Sequence, residues 1–274
     1  MEKEFLYHYT SLENLALILK NRTIRLNTLD KMDDLQEQKT SDILNFGRFF
    51  FVSSWTSDKT ESIPMWKMYT SPGNGVRIGL RKNPFKRNPT TGSDFLKIPG
   101  MFPQDKDSNA FVQDTFLNLA EVMSKGVYCA QAWGGEILHK VIYTDDKSLL
   151  EPCVNKSKAD EISISFSELG KYKNKYWEFQ EEWRYLLSFI PMDFTLSPEN
   201  MYKKFNQTAL KILNGTEALP FNYYDLHILD ECFGEMEIIP SPTMTAGNKI
   251  ILQSIVEKYN PTATMYDSAL LGLI

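Results

Sequence analysis

Cysteine is scarce in this chain, and its few copies are widely separated. The three cysteines are Cys129, Cys153 and Cys232. An odd number at such spacing fits neither a disulfide framework nor a Cys-x-x-Cys zinc site. The three histidines are also too far apart to indicate a metal site by spacing. We therefore expect no metal cofactor.

The sequence has no excess of positive charge and no long apolar run. It contains 30 Lys and Arg residues against 35 Asp and Glu residues, a formal net charge of −5. This balance argues against non-specific binding to a nucleic acid backbone, although it leaves room for a local basic groove. The chain contains no membrane-length apolar stretch and no apolar signal-peptide core near residue 1. We therefore expect a cytoplasmic protein with no membrane partner.

The 274 residues are 42% hydrophobic and 13% aromatic, which is typical of a folded chain with an aromatic core. Apolar runs predict strands at residues 5–9, 49–55, 76–80, 183–190 and 226–233. Helical spacing predicts helices at residues 12–19 and 247–259. Residues 83–126 begin with turn-forming residues and then show helical spacing around residues 111–122, which indicates a helical insertion. These patterns predict a single α+β domain over residues 1–274, with a central mixed or antiparallel sheet flanked by helices.

Common catalytic motifs are absent from the sequence. It contains no Gly-x-x-x-x-Gly-Lys-Ser/Thr loop, no Gly-x-Ser-x-Gly elbow and no His-Glu-x-x-His pair. Asp33, Asp34 and Glu37 could bind a cation together, which would fit a metal-dependent hydrolase or nuclease. A charged surface loop is the more common meaning of such a cluster.

Polar residues at strand ends are the first candidates for a functional site. His8 ends the first predicted strand, where it either bonds to the backbone or contacts a ligand. Ser53, Ser54 and Trp55 end a buried strand with two hydroxyls and an indole. Tyr69 belongs to an aromatic stripe on a short helix, which is more often core than binding site.

A second group of candidates precedes and begins a strongly apolar strand. Gln180, Glu182 and Arg184 are two residues apart, so in a strand they share one face. A carboxylate buried among aromatic residues is costly unless it is paired. We therefore expect Arg184 to form an ion pair with Glu182, whose role is either that of an interior salt bridge or catalytic.

Five short motifs in one order resemble a known bacterial family, the domain-of-unknown-function family 2971. The motifs are Leu6-Tyr7-His8-Tyr9-Thr10-Ser11, Asp33-Asp34-x-x-Glu37, Val52-Ser53-Ser54-Trp55, Met65-Trp66-x-x-Tyr69 followed by Gly75-Val76-x-Ile78-Gly79, and Glu182-Trp183-Arg184. The family often has Asn-Asp-Pro-x-Glu at the second motif and Glu-x-Glu-Trp-Arg at the last, and this chain departs from both. The resemblance names a family without naming an activity.

The same order of elements also resembles, more weakly, the ADP-ribosyltransferase-like superfamily. That resemblance implies the fold of those enzymes and NAD as substrate, with no metal. It implies that Glu182 bonds the ribose 2′-hydroxyl, that His8 holds a ribose hydroxyl or the nicotinamide amide, and that Gln180 faces the acceptor. The cofactor-binding residues implied by position are His8, Ser54 with its neighbour Ser53, and Tyr69 or Trp55, which stacks on nicotinamide. We also expect Tyr9 and Arg184 to contact the ligand, Arg184 as a positive charge near the anionic dinucleotide.

These residues leave three functions open. The first is an NAD-dependent ADP-ribosyltransferase or another NAD-consuming protein, such as a toxin or phage-defence effector, whose acceptor is a protein, a nucleic acid or a small molecule. The second is a non-catalytic sensor domain that binds a nucleotide, a dinucleotide or a partner. The third is the metal-dependent hydrolase or nuclease.

Overall fold

The strands predicted around residues 5–9, 49–55, 76–80 and 183–190 meet in one sheet. The computed structural model describes residues 4–91, 111–133, 135–159, 161–193 and 196–274. Within these ranges the largest sheet has ten strands and is mixed, and two further sheets have two strands each. The architecture is therefore α+β, as expected from the sequence.

The strands in chain order are β1 (Phe5–Ser11), β2 (Thr23–Thr28), β3 (Phe50–Thr56), β4 (Gly75–Arg81), β5 (Asn88–Thr91), β6 (Phe111–Thr115), β7 (Val127–Cys129), β8 (Leu138–Lys140), β9 (Ile142–Thr144), β10 (Tyr172–Asn174), β11 (Glu182–Pro191), β12 (Tyr223–His227), β13 (Glu237–Pro240) and β14 (Thr264–Met265). The α-helices are α1 (Leu12–Asn21), α2 (Ile63–Tyr69), α3 (Leu119–Ser124), α4 (Lys147–Leu150), α5 (Pro198–Leu213), α6 (Asp230–Gly234) and α7 (Ala246–Tyr259). Short 3-10 helices cover Leu29–Lys31, Phe46–Phe49, Ala130–Trp133 and Lys175–Gln180.

Strand β3 has different neighbours along its two edges. One edge pairs with β11 over its whole length, from Phe50 to Thr56. The opposite edge pairs with β2 only at Phe51 and Val52, and with β1 only at Thr56. Strands β1 and β2 therefore diverge between Val52 and Thr56, and the sheet is split at this point.

Helix α1 connects the two diverging strands. It begins after Ser11, whose hydroxyl accepts a hydrogen bond from the backbone N–H of Asn14, and it ends at Arg22 in a left-handed conformation. Its buried face, which includes Leu15 and Leu19, packs with α7 and the sheet in the largest core cluster. Because α1 bridges β1 and β2 from one face, it holds the two strands apart without closing the gap between them.

Helix α2 lies against the other face of β1. Ser62 accepts from the backbone N–H of Met65, and Pro64 in the first turn favours the helical start. Met65 and Trp66 pack on Tyr9 of β1 in a small separate cluster. Helices therefore flank the sheet on both faces.

Two predictions made from the sequence are corrected. The helical pattern at residues 111–122 is wrong in its first half, because Phe111–Thr115 is strand β6, paired with β5, and the helix begins only at Leu119. The core of the predicted insertion, residues 92–110, lies outside the described residues. The strand predicted at residues 226–233 ends at His227, since Leu226 continues a pairing with β2 while Asp230–Gly234 is helical.

No helix in the described part of the chain is both long enough and apolar enough to cross a membrane.

Candidate functional site

A small cavity, of about 80 Å³, opens where the sheet splits. Its walls come from β1, β3, α2, β10 and β11, and they include His8, Ser54, Tyr69, Gln180 and Glu182. It adjoins a wider cavity that lies over the gap between β1 and β2 and shares His8, Ser54 and Tyr69 with it. The topology thus brings residues that are up to 174 positions apart (182 − 8) into one place.

Four charged side chains form a closed ring at the inner end of the cavity. Arg184 bonds to Glu182 through Nε at 2.6 Å and also contacts Glu37. Lys173 lies 3.0 Å from Glu37 and 3.1 Å from Glu182. Each cation therefore contacts both carboxylates, and no more than 5% of any of the four side chains is exposed. The ion pair expected between Arg184 and Glu182 is confirmed, as part of a ring with two positive and two negative charges.

The ring keeps Glu182 ionised although it is buried. Burial alone would raise the pKa of Glu182, but the charges of Arg184 and Lys173 outweigh this effect and lower that pKa to about 2. The backbone N–H of Glu182 also donates to the hydroxyl of Tyr143 at 2.9 Å. At Glu182, the first residue of β11, both the side chain and the backbone N–H are therefore bonded to neighbouring side chains.

Gln180 extends the ring to the aromatic wall of the cavity. Lys173 donates to its Oε1 at 2.8 Å, and its Nε2 donates to the hydroxyl of Tyr69. Gln180 ends a 3-10 helix and is not part of β11, because Glu181 has a left-handed backbone with φ of 42°. Gln180 and Glu182 nevertheless contact the same lysine, Lys173. The two side chains therefore point to the same place, as predicted, but they do not lie on one strand, as the prediction assumed.

His8 bridges the split in the sheet. Its Nδ1 lies 2.8 Å from the backbone carbonyl of Ser54, in the part of β3 between its contacts with β2 and β1. Burial lowers the pKa of His8, and the bond to Ser54 offsets this only in part. Because a carbonyl only accepts, Nδ1 carries the proton, and Nε2 of the neutral ring is an acceptor.

The other predicted binding residues are less available. Trp55 is buried, its ring is tilted against that of His8 with centroids 5.1 Å apart, and it donates its indole N–H to the hydroxyl of Ser53 at 3.0 Å. The hydroxyl of Tyr9 accepts from the backbone N–H of Ser62, while its ring meets Trp66 edge-on. These three predicted residues support the walls of the cavity and are largely engaged with protein neighbours.

The acidic loop does not form a cluster of ligands. Glu37 is in the ion ring, and Asp34 accepts from the backbone N–H of Gln36 at 2.9 Å. Asp33 is exposed and lines both cavities. Across the described ranges, no three His, Cys, Asp or Glu side chains come together as a metal site requires. The geometry gives the metal-dependent alternative no support.

Lys173 and Tyr143 are part of the site although the sequence did not predict them. Both lie on three-residue strands, and no local pattern marks either of them as functional. Glu37 was noted only as a possible metal ligand, although it belongs to a motif that carries the family resemblance.

Arg184 is held in the ring, and Arg25 reaches the wider cavity, where it forms a bidentate pair with Asp225.

Comparison with known proteins identifies a family and no characterised relative. Residues 65–185 match the sequence model of the family described as "Protein of unknown function (DUF2971)". No curated protein and no solved structure matches the chain. The match includes Tyr69, Lys173, Gln180, Glu182 and Arg184, whereas His8 and Glu37 precede it. The match supports the resemblance of this chain to the family of proteins of unknown function DUF2971 over residues 65–185.

Proposed function

We propose that the cavity binds NAD and that the protein cleaves its N-glycosidic bond, with transfer of ADP-ribose to water or to another acceptor. One observation carries this proposal. His8, Ser54, Tyr69 and Glu182, to which the resemblance assigns roles in NAD binding, all line one cavity although they lie on four separate elements. An ADP-ribosyltransferase-like fold is part of the same proposal.

The reaction balances without a metal or redox partner. The bond between C1′ of the ribose and the nicotinamide nitrogen breaks, and its electron pair leaves with nicotinamide. The acceptor oxygen or nitrogen then bonds to C1′ and releases a proton. Positive charge develops on the ribose in between, as in glycoside hydrolysis.

Glu182 is the group that would stabilise this charge. Arg184 and Lys173 take three of the four acceptor positions of its carboxylate. The hydroxyl of Ser54 bonds to the same carboxylate, so the ribose 2′-hydroxyl would take the place of that bond. Because the ring fixes the carboxylate before substrate arrives, its charge acts on the developing cation without reorganisation.

The wider cavity offers room and polar groups for the rest of a dinucleotide. Its walls include the side chains of Asn14, Thr23, Asn27, Lys31 and Arg25. Amides and hydroxyls suit ribose and adenine, and Lys31 favours a pyrophosphate, whereas Arg25 is already paired with Asp225.

A second candidate function is binding without catalysis. The observation that favours it is the engagement of Glu182 itself, whose side chain is only 4% exposed and already bonded to two cations. A sensor domain needs the cavity and its hydrogen-bonding groups but no accessible carboxylate. The same pocket would then hold NAD or another nucleotide unchanged.

The two candidates are separated by measuring binding and consumption together. Saturating NAD should raise the unfolding temperature by several degrees, because a ligand at about 100 times its dissociation constant adds about 2.7 kcal/mol. The wild-type protein should also release nicotinamide, followed by chromatography with and without cell extract as a source of acceptor or activator. Stabilisation without release would favour the sensor. If NAD neither stabilises the protein nor yields nicotinamide, NAD is refuted as the ligand.

A further inference from the structure

The hydrogen bonds from Lys173 to Gln180 to Tyr69 have a fixed direction. An ammonium group only donates, so Lys173 must contact the amide oxygen of Gln180, which lies 2.8 Å from it. The amide nitrogen is thereby turned toward Tyr69 and donates to its hydroxyl. The Tyr69 oxygen is an acceptor in this bond, so its own proton is left to donate elsewhere.

That proton faces the cavity. Burial and the nearby carboxylates, Asp33 first among them, raise the pKa of Tyr69, so the hydroxyl stays protonated. Within the described residues it donates to no protein acceptor, and Tyr69 lines both cavities. Tyr69 therefore presents a donor to a ligand.

His8 presents the opposite group to the same space. Its Nδ1–H is directed to the carbonyl of Ser54, which leaves Nε2 as an acceptor. His8 also lines both cavities. The exposed carboxylate of Asp33 on the same walls adds negative charge. On these walls Tyr69, His8 and Asp33 thus contribute a donor, a neutral acceptor and an anion.

We propose that Tyr69 and His8 select a primary carboxamide over the corresponding carboxylate, and that Gln180 is the positioning residue that fixes the direction of the Tyr69 hydroxyl. A carboxamide satisfies both groups, because its oxygen accepts from Tyr69 and its NH₂ donates to Nε2 of His8. A carboxylate has only acceptors, so it cannot hydrogen-bond to Nε2 of neutral His8, and its charge is repelled by that of Asp33. The inference rests on the proposed function in that the ligand is NAD, whose nicotinamide carries this carboxamide.

Two substitutions test the two parts of the proposal. Tyr69→Phe removes the donor and keeps the ring. Gln180→Glu replaces the amide with a carboxylate that can pair with Lys173 but can only accept, so Tyr69 turns its proton toward position 180 and presents a lone pair to the ligand. Because Gln180→Glu adds a buried charge, its unfolding temperature is measured first, and Tyr69→Phe remains the test if that variant does not fold.

The measurement is calorimetric binding of NAD, its nicotinic acid analogue and ADP-ribose, with benzamide and benzoate as small probes. Wild type should bind NAD at least about tenfold more tightly than the acid analogue, and benzamide more tightly than benzoate, as expected for one unmatched buried hydrogen bond. Tyr69→Phe should weaken the binding of NAD by about tenfold. The binding of ADP-ribose, which has no carboxamide, should be unchanged. Gln180→Glu should abolish the preference for the amide.

The ligands also separate this inference from the function on which it rests. If wild type binds each amide and its acid equally well and also binds ADP-ribose, the carboxamide selection is overturned, but the cavity can still be an NAD site. If the protein prefers benzamide to benzoate but binds neither NAD nor ADP-ribose, the carboxamide selection stands and NAD is refuted as the ligand. Binding of none of the five compounds, or an unchanged amide-to-acid ratio in Tyr69→Phe, would overturn the selection.

Discussion

Replacing Glu182 with glutamine should slow nicotinamide release from NAD by about 10²–10³-fold. Glutamine has nearly the same shape and keeps one acceptor oxygen, so the loss isolates the negative charge beside the ribose. The rate is measured by chromatography under saturating NAD. An unchanged rate would mean that Glu182 does not act on the reacting ribose.

Glu37→Gln is the matched control for that variant. Glu37 contacts the same two cations as Glu182, and its side chain is equally buried, so both substitutions remove one charge from one ring. We expect similar losses of stability from the two, but less than about a tenfold loss of rate from Glu37→Gln, since Glu37 acts only by positioning. Equal losses of rate in both variants would show that the ring, and not the charge at Glu182, limits activity.

Replacing Arg184 with methionine should lower the free energy of unfolding by about 3–5 kcal/mol, because it leaves two buried carboxylates with one cation. The corresponding fall in unfolding temperature is about 10 °C or more. Arg81→Met is the control, since Arg81 also makes a bidentate pair, with Glu235, but on the surface. That pair is solvated and screened, so its loss should move the unfolding temperature far less. A small effect of Arg184→Met would contradict the buried ring.

The pH dependence of stability identifies the carboxylates as the source of this effect. The folded-state pKa of Glu182 is about 2, below its unfolded value, so its contribution is present at neutral pH and is lost as the pH falls from about 5 toward 2. Wild type should therefore lose stability steeply in this window. In Arg184→Met the loss should be shallower, because Glu182 no longer has a strongly lowered pKa.

Local patterns were sufficient to locate most of the sheet and part of the site. The apolar runs before Trp55 and after Glu182 are strands β3 and β11, and β3 pairs with β11 along its full length. The cost of burying a carboxylate was enough to predict the partner of Glu182, because Arg184 is two residues away on the same strand.

The rest of the site depends on contacts that no local pattern encodes. Lys173 completes the ring from a three-residue strand, and Glu37 reaches it from a loop that reads as a charged surface segment. The split between β1 and β2 is likewise a matter of long-range pairing with β3. Residues 226–233 were assigned wrongly for a related reason, because a short buried helix after a strand has the same apolar composition as a longer strand.

The ring also explains how a split sheet can hold a rigid site. A gap in the pairing leaves the middle of β3 with backbone groups that neighbouring strands do not satisfy, and His8 bonds to one of them, the carbonyl of Ser54. The ion ring then ties β11 to β10 and to the loop that carries Glu37. Side chains that are fixed in this way can present charge and hydrogen bonds to a ligand without further ordering.

A crystal structure of the wild-type protein with a non-hydrolysable carba analogue of NAD tests whether the cavity at the split is the dinucleotide site. We expect the dinucleotide in this cavity, with the ribose 2′-hydroxyl on Glu182 and the adenosine part over the gap between β1 and β2. A dinucleotide bound on another surface, or an empty cavity at saturating analogue, would contradict it.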